Sequence, residues 1–150
     1  MNIGHYLASH KKIALDTSIF IYHFKNNPVY AGLTNEILEA IVSKKINAVC
    51  SELIFLELMV LPYKNEREDL VDNYEILLTN FPHLSICPVN RPVLRSAAQL
   101  RAQYQIKTPD AIHLATAIYY GSQVFIGNDK SLSKVKEIKI VNLDQFINIK

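Results

Sequence analysis

"KTPDAIHLATAIYYGSQVFIGND", residues 107–129, reads as a helix followed by a strand. Thr108 is suited to cap the helix, Pro109 has the fixed φ of a first helical position, and Asp110 in the first turn complements the positive end of the helix dipole. Residues 109–120 are otherwise almost wholly apolar, and "QVFIGND" (123–129) reads as a strand closing on a second acid, Asp129.

The same alternation runs outward from this unit. Short apolar runs recur at "KIALD" (12–16), "INAVCS" (46–51), "LSICPV" (84–89) and "IKIVNL" (138–143). Segments of helical character lie between them, at 30–44, 52–61, 66–80, 92–105 and 109–120. Apolar strands alternating with helices imply an α/β fold whose mainly parallel sheet is covered on both faces. The 150 residues, 49% hydrophobic with only four glycines and no repeat or linker, suit one domain spanning 1–150.

In such sheets, sites form beyond the carboxyl ends of the strands. Asp16 closes the first strand and Asp129 the fourth, with Thr17 and Ser18 placed to cap a helix after Asp16. Asp110 opens the helix that leads into the Asp129 strand, so it is expected at the same edge. Glu57 interrupts "LIFLELMVL", where four neighbours on either side are apolar. It lies either on a narrow solvent face or in the cleft, where a carboxylate requires a partner. Glu52, at the first turn of that helix, reads as a solvated helix-start acid.

Gathered carboxylates require protons or a cation. Asp16, Glu57, Asp110 and Asp129 together offer hard oxygen donors suited to Mg²⁺ or Mn²⁺, directly or through water, which describes a metal-dependent nuclease site. Competing templates are absent: there is no Gly-rich phosphate loop, G-x-S-x-G or H-E-x-x-H, and the five histidines show no ligand spacing. "LDTS" lacks the second acid of an aspartate-nucleophile phosphatase, since Ser18 occupies that position. His113 reads as a helix-packing residue.

Charge adds a weak cue. Residues 1–75 carry seven Lys/Arg against ten Asp/Glu and residues 76–150 nine against four, so the second half is the basic one. Cys50 and Cys87 stand alone in apolar runs and are expected to be buried rather than metal-bound or bridged. No run is long enough for a membrane span and the start lacks a signal-peptide core, so a cytoplasmic protein without a membrane partner is expected.

"IALDTSIFIYHF", "SELIFLELM" and "TPDAIHLATAIYYGSQVFIGNDKSL", in this order, resemble a PIN domain, the nuclease fold of VapC-type toxins. The resemblance covers residues 13–143 and leaves 1–12 as a short N-terminal extension. It implies a three-layer α/β/α sandwich and Mg²⁺- or Mn²⁺-dependent endoribonuclease activity on an RNA substrate. It also implies a cognate antitoxin protein as partner and a homodimer. The family acids fall on Asp16, Glu57, Asp110 and Asp129, with Thr17, Ser18 and Asn128 expected to support them by hydrogen bonds and Lys130 to touch substrate phosphate.

Two positions depart from the family pattern. Gly127 stands where a Thr or Ser often precedes the last acid by two residues, and Ile54 where a Thr is common three residues before the Glu. The alternatives that remain are a PIN nuclease for RNA processing or DNA, and a catalytically weak PIN-like module that binds RNA or protein.

Overall fold

The computed structural model describes residues 2–147, so Met1 of the expected extension and the last three residues of the expected domain lie outside it. Five strands form the sheet: β1 (Lys12–Leu15), β2 (Asn47–Ser51), β3 (Leu84–Cys87), β4 (Val124–Gly127) and β5 (Lys139–Asn142). Their order is β3-β2-β1-β4-β5 and every pairing is parallel. All five fall within the runs read from the sequence.

Parallel strands need crossovers, and these are helical. The helices are α1 (Ile3–Leu7), α2 (Thr17–Phe24), α3 (Ala31–Val42), α4 (Leu53–Lys64), α5 (Glu68–Thr79), α6 (Arg91–Tyr104) and α7 (Thr108–Tyr119). Side chains alternate across each strand, so the sheet separates two cores. Ile13, Leu15, Ala48, Cys50, Val124 and Ile126 face α1 to α5, while Ala14, Val49 and Phe125 face α6 and α7. This is the expected three-layer α/β/α sandwich. Burial on both faces is why these strands read as continuous apolar runs.

Three local readings change. The stretch before β1, to which the sequence assigned no element, forms α1, with Ile3 and Leu7 at 0% and 1% exposure inside the first core. Helix α2 is capped by Asp16 rather than by Thr17 or Ser18, because Asp16 is the residue with extended backbone and its carboxylate accepts from the Ser18 N–H. Helix α7 begins at Thr108, one residue before the expected start. Its cap position is Lys107, whose carbonyl accepts from the Ala111 N–H, and no side chain caps it.

Glu52 is exposed at the head of α4, as expected, and Cys50 and Cys87 are buried free thiols, with burial pushing Cys50 up to about 12. Among the described residues no helix is long and apolar enough to cross a membrane.

Because Ile3 and Leu7 fill core space, Leu7→Ala should cost about 2–5 kcal/mol. Urea denaturation would register it as a lower midpoint with an unchanged slope. An unchanged midpoint would mean that α1 merely rests on the domain.

Candidate active site

The strand order places a topological break beside β1. The chain runs outward from β1 through β2 to β3 and then returns to β4 on the other side of β1, so the crevice where sites form in open sheets lies between β1 and β4. Leu15 pairs with Ile126, and the Asp16 N–H continues the ladder to the Ile126 carbonyl at 2.9 Å. Asp16 therefore leaves β1 alongside Gly127. A Cβ on Gly127 would lie 3.1 Å from the Asp16 Cβ, tighter than side chains normally pack. The glycine allows that approach.

Asp129 caps a 3₁₀ turn, Lys130–Lys134, just beyond β4. Its Oδ1 accepts from the Ser131 N–H at 2.9 Å and from the Ser131 hydroxyl at 2.7 Å. The Ser131 hydroxyl bond first, with the charges of Lys107 and Lys134 contributing further, holds the Asp129 carboxyl below the usual range despite some desolvation.

Glu57 projects from α4 towards the same edge. Its Oε1 accepts from the Thr17 hydroxyl at 2.9 Å and bonds the His113 Nε2, while Thr17 Oγ1 and His113 Nε2 lie 3.2 Å apart. Burial by itself would raise the Glu57 carboxyl, but the hydrogen bonds from His113 and Thr17 outweigh it and leave the group below its ordinary value. Of the two placements open for Glu57, the structure thus has the one with partners.

Asp110 has the opposite environment. Burial first, then the neighbouring charges of Asp16 and Asp129, hold its carboxyl above the usual range. His113 acts against this rise and Glu57 adds to it, and no hydrogen bond contributes. The carboxylates of Asp16, Asp129 and Glu57 therefore lie within electrostatic reach of Asp110. Among the described residues, however, no three carboxylate, imidazole or thiol groups form a ready-made metal cage.

The expected supporting residues divide. Thr17 bonds Glu57, and Ser18 acts through its backbone N–H while its hydroxyl is shut off from solvent with no partner among the described residues. Asn128 turns away: its Oδ1 accepts from the Asp144 N–H at 3.1 Å, tying the end of β4 to the turn after β5. Lys130 is exposed. His113 packs in the interior, as read, at 3% exposure, but it also joins the acid network.

Sequence reasoning missed Ser131, Lys107 and Lys134. Ser131 had a local signal, since an Asp followed two residues later by Ser is an Asx-turn pattern. Lys134 belongs to the short turn that Asp129 caps, so its nearness is local, whereas Lys107 had no local signal, because only tertiary packing brings it near 129. The hydroxyls missing at Ile54 and Gly127 thus have counterparts in Thr17 and Ser131.

Residues 13–138 match the PIN domain family. No curated protein sequence matches the chain significantly. Among solved structures, the fold resembles a chain of the DNA-bound VapBC from Salmonella typhimurium, with TM-score 0.67 and 19% identity over 89% of this chain and 98% of that one. A chain of VapBC2 from Rickettsia felis, bound to a promoter DNA fragment, gives TM-score 0.66 and 17% identity over 87% and 98%. A chain of a toxin-antitoxin complex from Klebsiella pneumoniae gives 0.65 and 23% over 87% and 97%. These identities speak for the fold alone. Since the family match spans most of the chain and takes in Asp16, Glu57, Asp110 and Asp129, the chain belongs to the PIN domain family.

Proposed function

We propose that the protein is a divalent-metal-dependent endoribonuclease and the toxin of a toxin-antitoxin pair. PIN membership supports a nuclease, and the VapBC and toxin-antitoxin complexes among the structural relatives support the pairing. The observation that carries the reading is Asp110, a half-buried carboxylate with no hydrogen-bond donor among the described residues and with the charges of Asp16 and Asp129 acting on it. A site built only to bind a polyanion has no use for such a cluster.

The donor set fits Mg²⁺ or Mn²⁺. All four groups are hard carboxylates, and their repulsion at Asp110 calls for positive charge. Asp16, Asp110 and Asp129 would hold it, with Glu57 directly or through water. Bound there, the ion supplies Lewis acidity for phosphodiester hydrolysis.

The chain's own residues perform the rest. Asp16 is held by its cap bond to α2, Asp129 by Ser131, and Glu57 by Thr17 and His113, so three carboxylates are oriented before substrate arrives. Lys107 and Lys134 are exposed and lie within electrostatic reach of Asp129, and with the exposed Lys130 they attract RNA phosphates. A protein partner, antitoxin or second copy, is supported by α4, whose Leu56, Val60 and Tyr63 lie along one exposed stripe. In this reading the protein works in the cytoplasm.

Asp16→Asn keeps the cap geometry, and both Asp16→Asn and Asp110→Asn keep side-chain volume. Each should retain the wild-type circular dichroism spectrum while RNA cleavage in Mn²⁺ falls on the order of 10²–10³-fold, the scale of losing one charge-stabilising group. Cleavage at wild-type rates by either purified variant would remove it from the site.

Metal-free melts should separate two of the acids by sign. The raised Asp110 carboxyl means that the fold disfavours its ionised form, so Asp110→Asn should raise the melting temperature at neutral pH, by a margin that shrinks as pH falls into the carboxylate range. Glu57 is lowered, so its contribution is present above the ordinary carboxylate pKa and lost on acidification. Glu57→Gln should therefore lower the neutral melt. Equal shifts in both variants would contradict the electrostatics described.

Adding Mn²⁺ at roughly 100 times its Kd should stabilise the wild type by about 2.7 kcal/mol. Asp129→Asn should reduce that gain. A melt indifferent to both metal and chelator would argue against a cation site.

A further inference from the structure

Glu57 and His113 approach each other from opposite sides of the sheet. Glu57 is on α4, in the layer with α2, while His113 is on α7, in the other layer. They meet with Thr17 of α2 beyond the carboxyl ends of the central strands. Asp110 and His113 are three residues apart on α7 and so share a face of the helix. The turn that presents Asp110 to the cleft therefore carries the imidazole with it.

The hydrogen-bond inventory at this junction is asymmetric. His113 Nε2 and Thr17 Oγ1 both converge on Oε1 of Glu57, whereas His113 Nδ1 is sealed from solvent with no partner among the described residues. A proton on Nδ1 alone would leave a buried N–H without an acceptor and turn the bare Nε2 lone pair towards a carboxylate. Placing it on Nε2 satisfies the carboxylate and leaves only an unused acceptor. The imidazole thus donates from Nε2, and with Thr17 it occupies Oε1 with two donors.

We propose that His113 is a positioning residue for Glu57: by donating from Nε2 alongside Thr17 it fixes the carboxylate plane and leaves Oε2 as the oxygen free to serve the acid cluster. This rests on the metal-dependent reading of the cluster. It does not rest on RNA as the substrate. Hydrogen bonds of this kind to a ligating group typically affect metal affinity or activity by about 10–100-fold.

The test compares a donor in two positions with none. His113→Gln carries an amide N–H close to the location of Nε2, His113→Asn carries one close to Nδ1, and His113→Leu removes the donor while retaining bulk. Mn²⁺ affinity is measured by electron paramagnetic resonance on the full chain, beside kcat and KM. The Leu and Asn variants should bind Mn²⁺ about 10–100-fold more weakly. Gln should restore most of the affinity, and the loss should fall on kcat rather than on KM for RNA. In the wild type, imidazole ¹⁵N spectra should show the proton on Nε2.

A bare Nε2, wild-type affinity in His113→Leu, or rescue by Asn equal to that by Gln would overturn the assignment to His113 alone. Absence of Mn²⁺ binding by the wild type would overturn the nuclease reading and this inference with it. Should the Leu variant fail to fold, the Gln and Asn comparison and the wild-type ¹⁵N spectrum still decide the matter.

Discussion

The parallel pairing of β1 with β4 is the constraint on which the site depends. These strands are adjacent in the sheet but far apart in the chain, and between them the backbone must build the whole β2-β3 side and return. The return leaves Asp16 and Asp129 beyond neighbouring strand ends, at the place in an open sheet where no connecting loop covers the crevice. It also requires small size at Gly127, because the first residue beyond β1 is an acid whose Cβ lies against that position.

Three of the four acids are compensated within the fold. Asp16 takes the cap of α2, Asp129 takes Ser131 and two lysine charges, and Glu57 takes a hydroxyl and an imidazole. Asp110 takes nothing comparable. It opens a twelve-residue helix whose dipole favours negative charge, yet burial and its acidic neighbours win. The helix terminus contributes a modest, solvent-screened attraction, whereas a half-buried carboxylate faces both desolvation and three like charges. The unmet electrostatic demand of the protein is thus concentrated at one side chain, where a cation does the most good.

The two helical layers have different characters at this edge. Helix α7 contributes small buried residues, Ala111, Ala115 and Ala117, which let it lie close to the sheet and bring Asp110 and His113 inward. Helix α4 is nearly all apolar, but it buries only Ile54, Leu58 and Pro62. Glu57 is thereby held between a core-facing stripe and an exposed apolar one.

Much of this was legible in the linear sequence, because it follows from local chemistry. Apolar β-branched runs such as "KIAL" and "QVFIG" can satisfy their backbone only as strands buried on both faces, and that determined five strands, the helices between them and the acids at Asp16 and Asp129. The run "LIFLELMVL" likewise showed that Glu57 needed a partner, though not which one. What tertiary structure alone decided was pairing across distance. His113 meets Glu57 from fifty-six positions away, Lys107 arrives beside Asp129, and Asn128, only one residue from that acid, turns to Asp144 instead. Caps shifted by one residue for a related reason: whether Asp16 or Thr17 accepts the first helical N–H depends on where the β1 ladder to β4 ends. A sequence records which groups need partners. Which partner each finds depends on how close the strands and helices bring donors that lie far apart in the chain, and that distance is a property of the packed molecule.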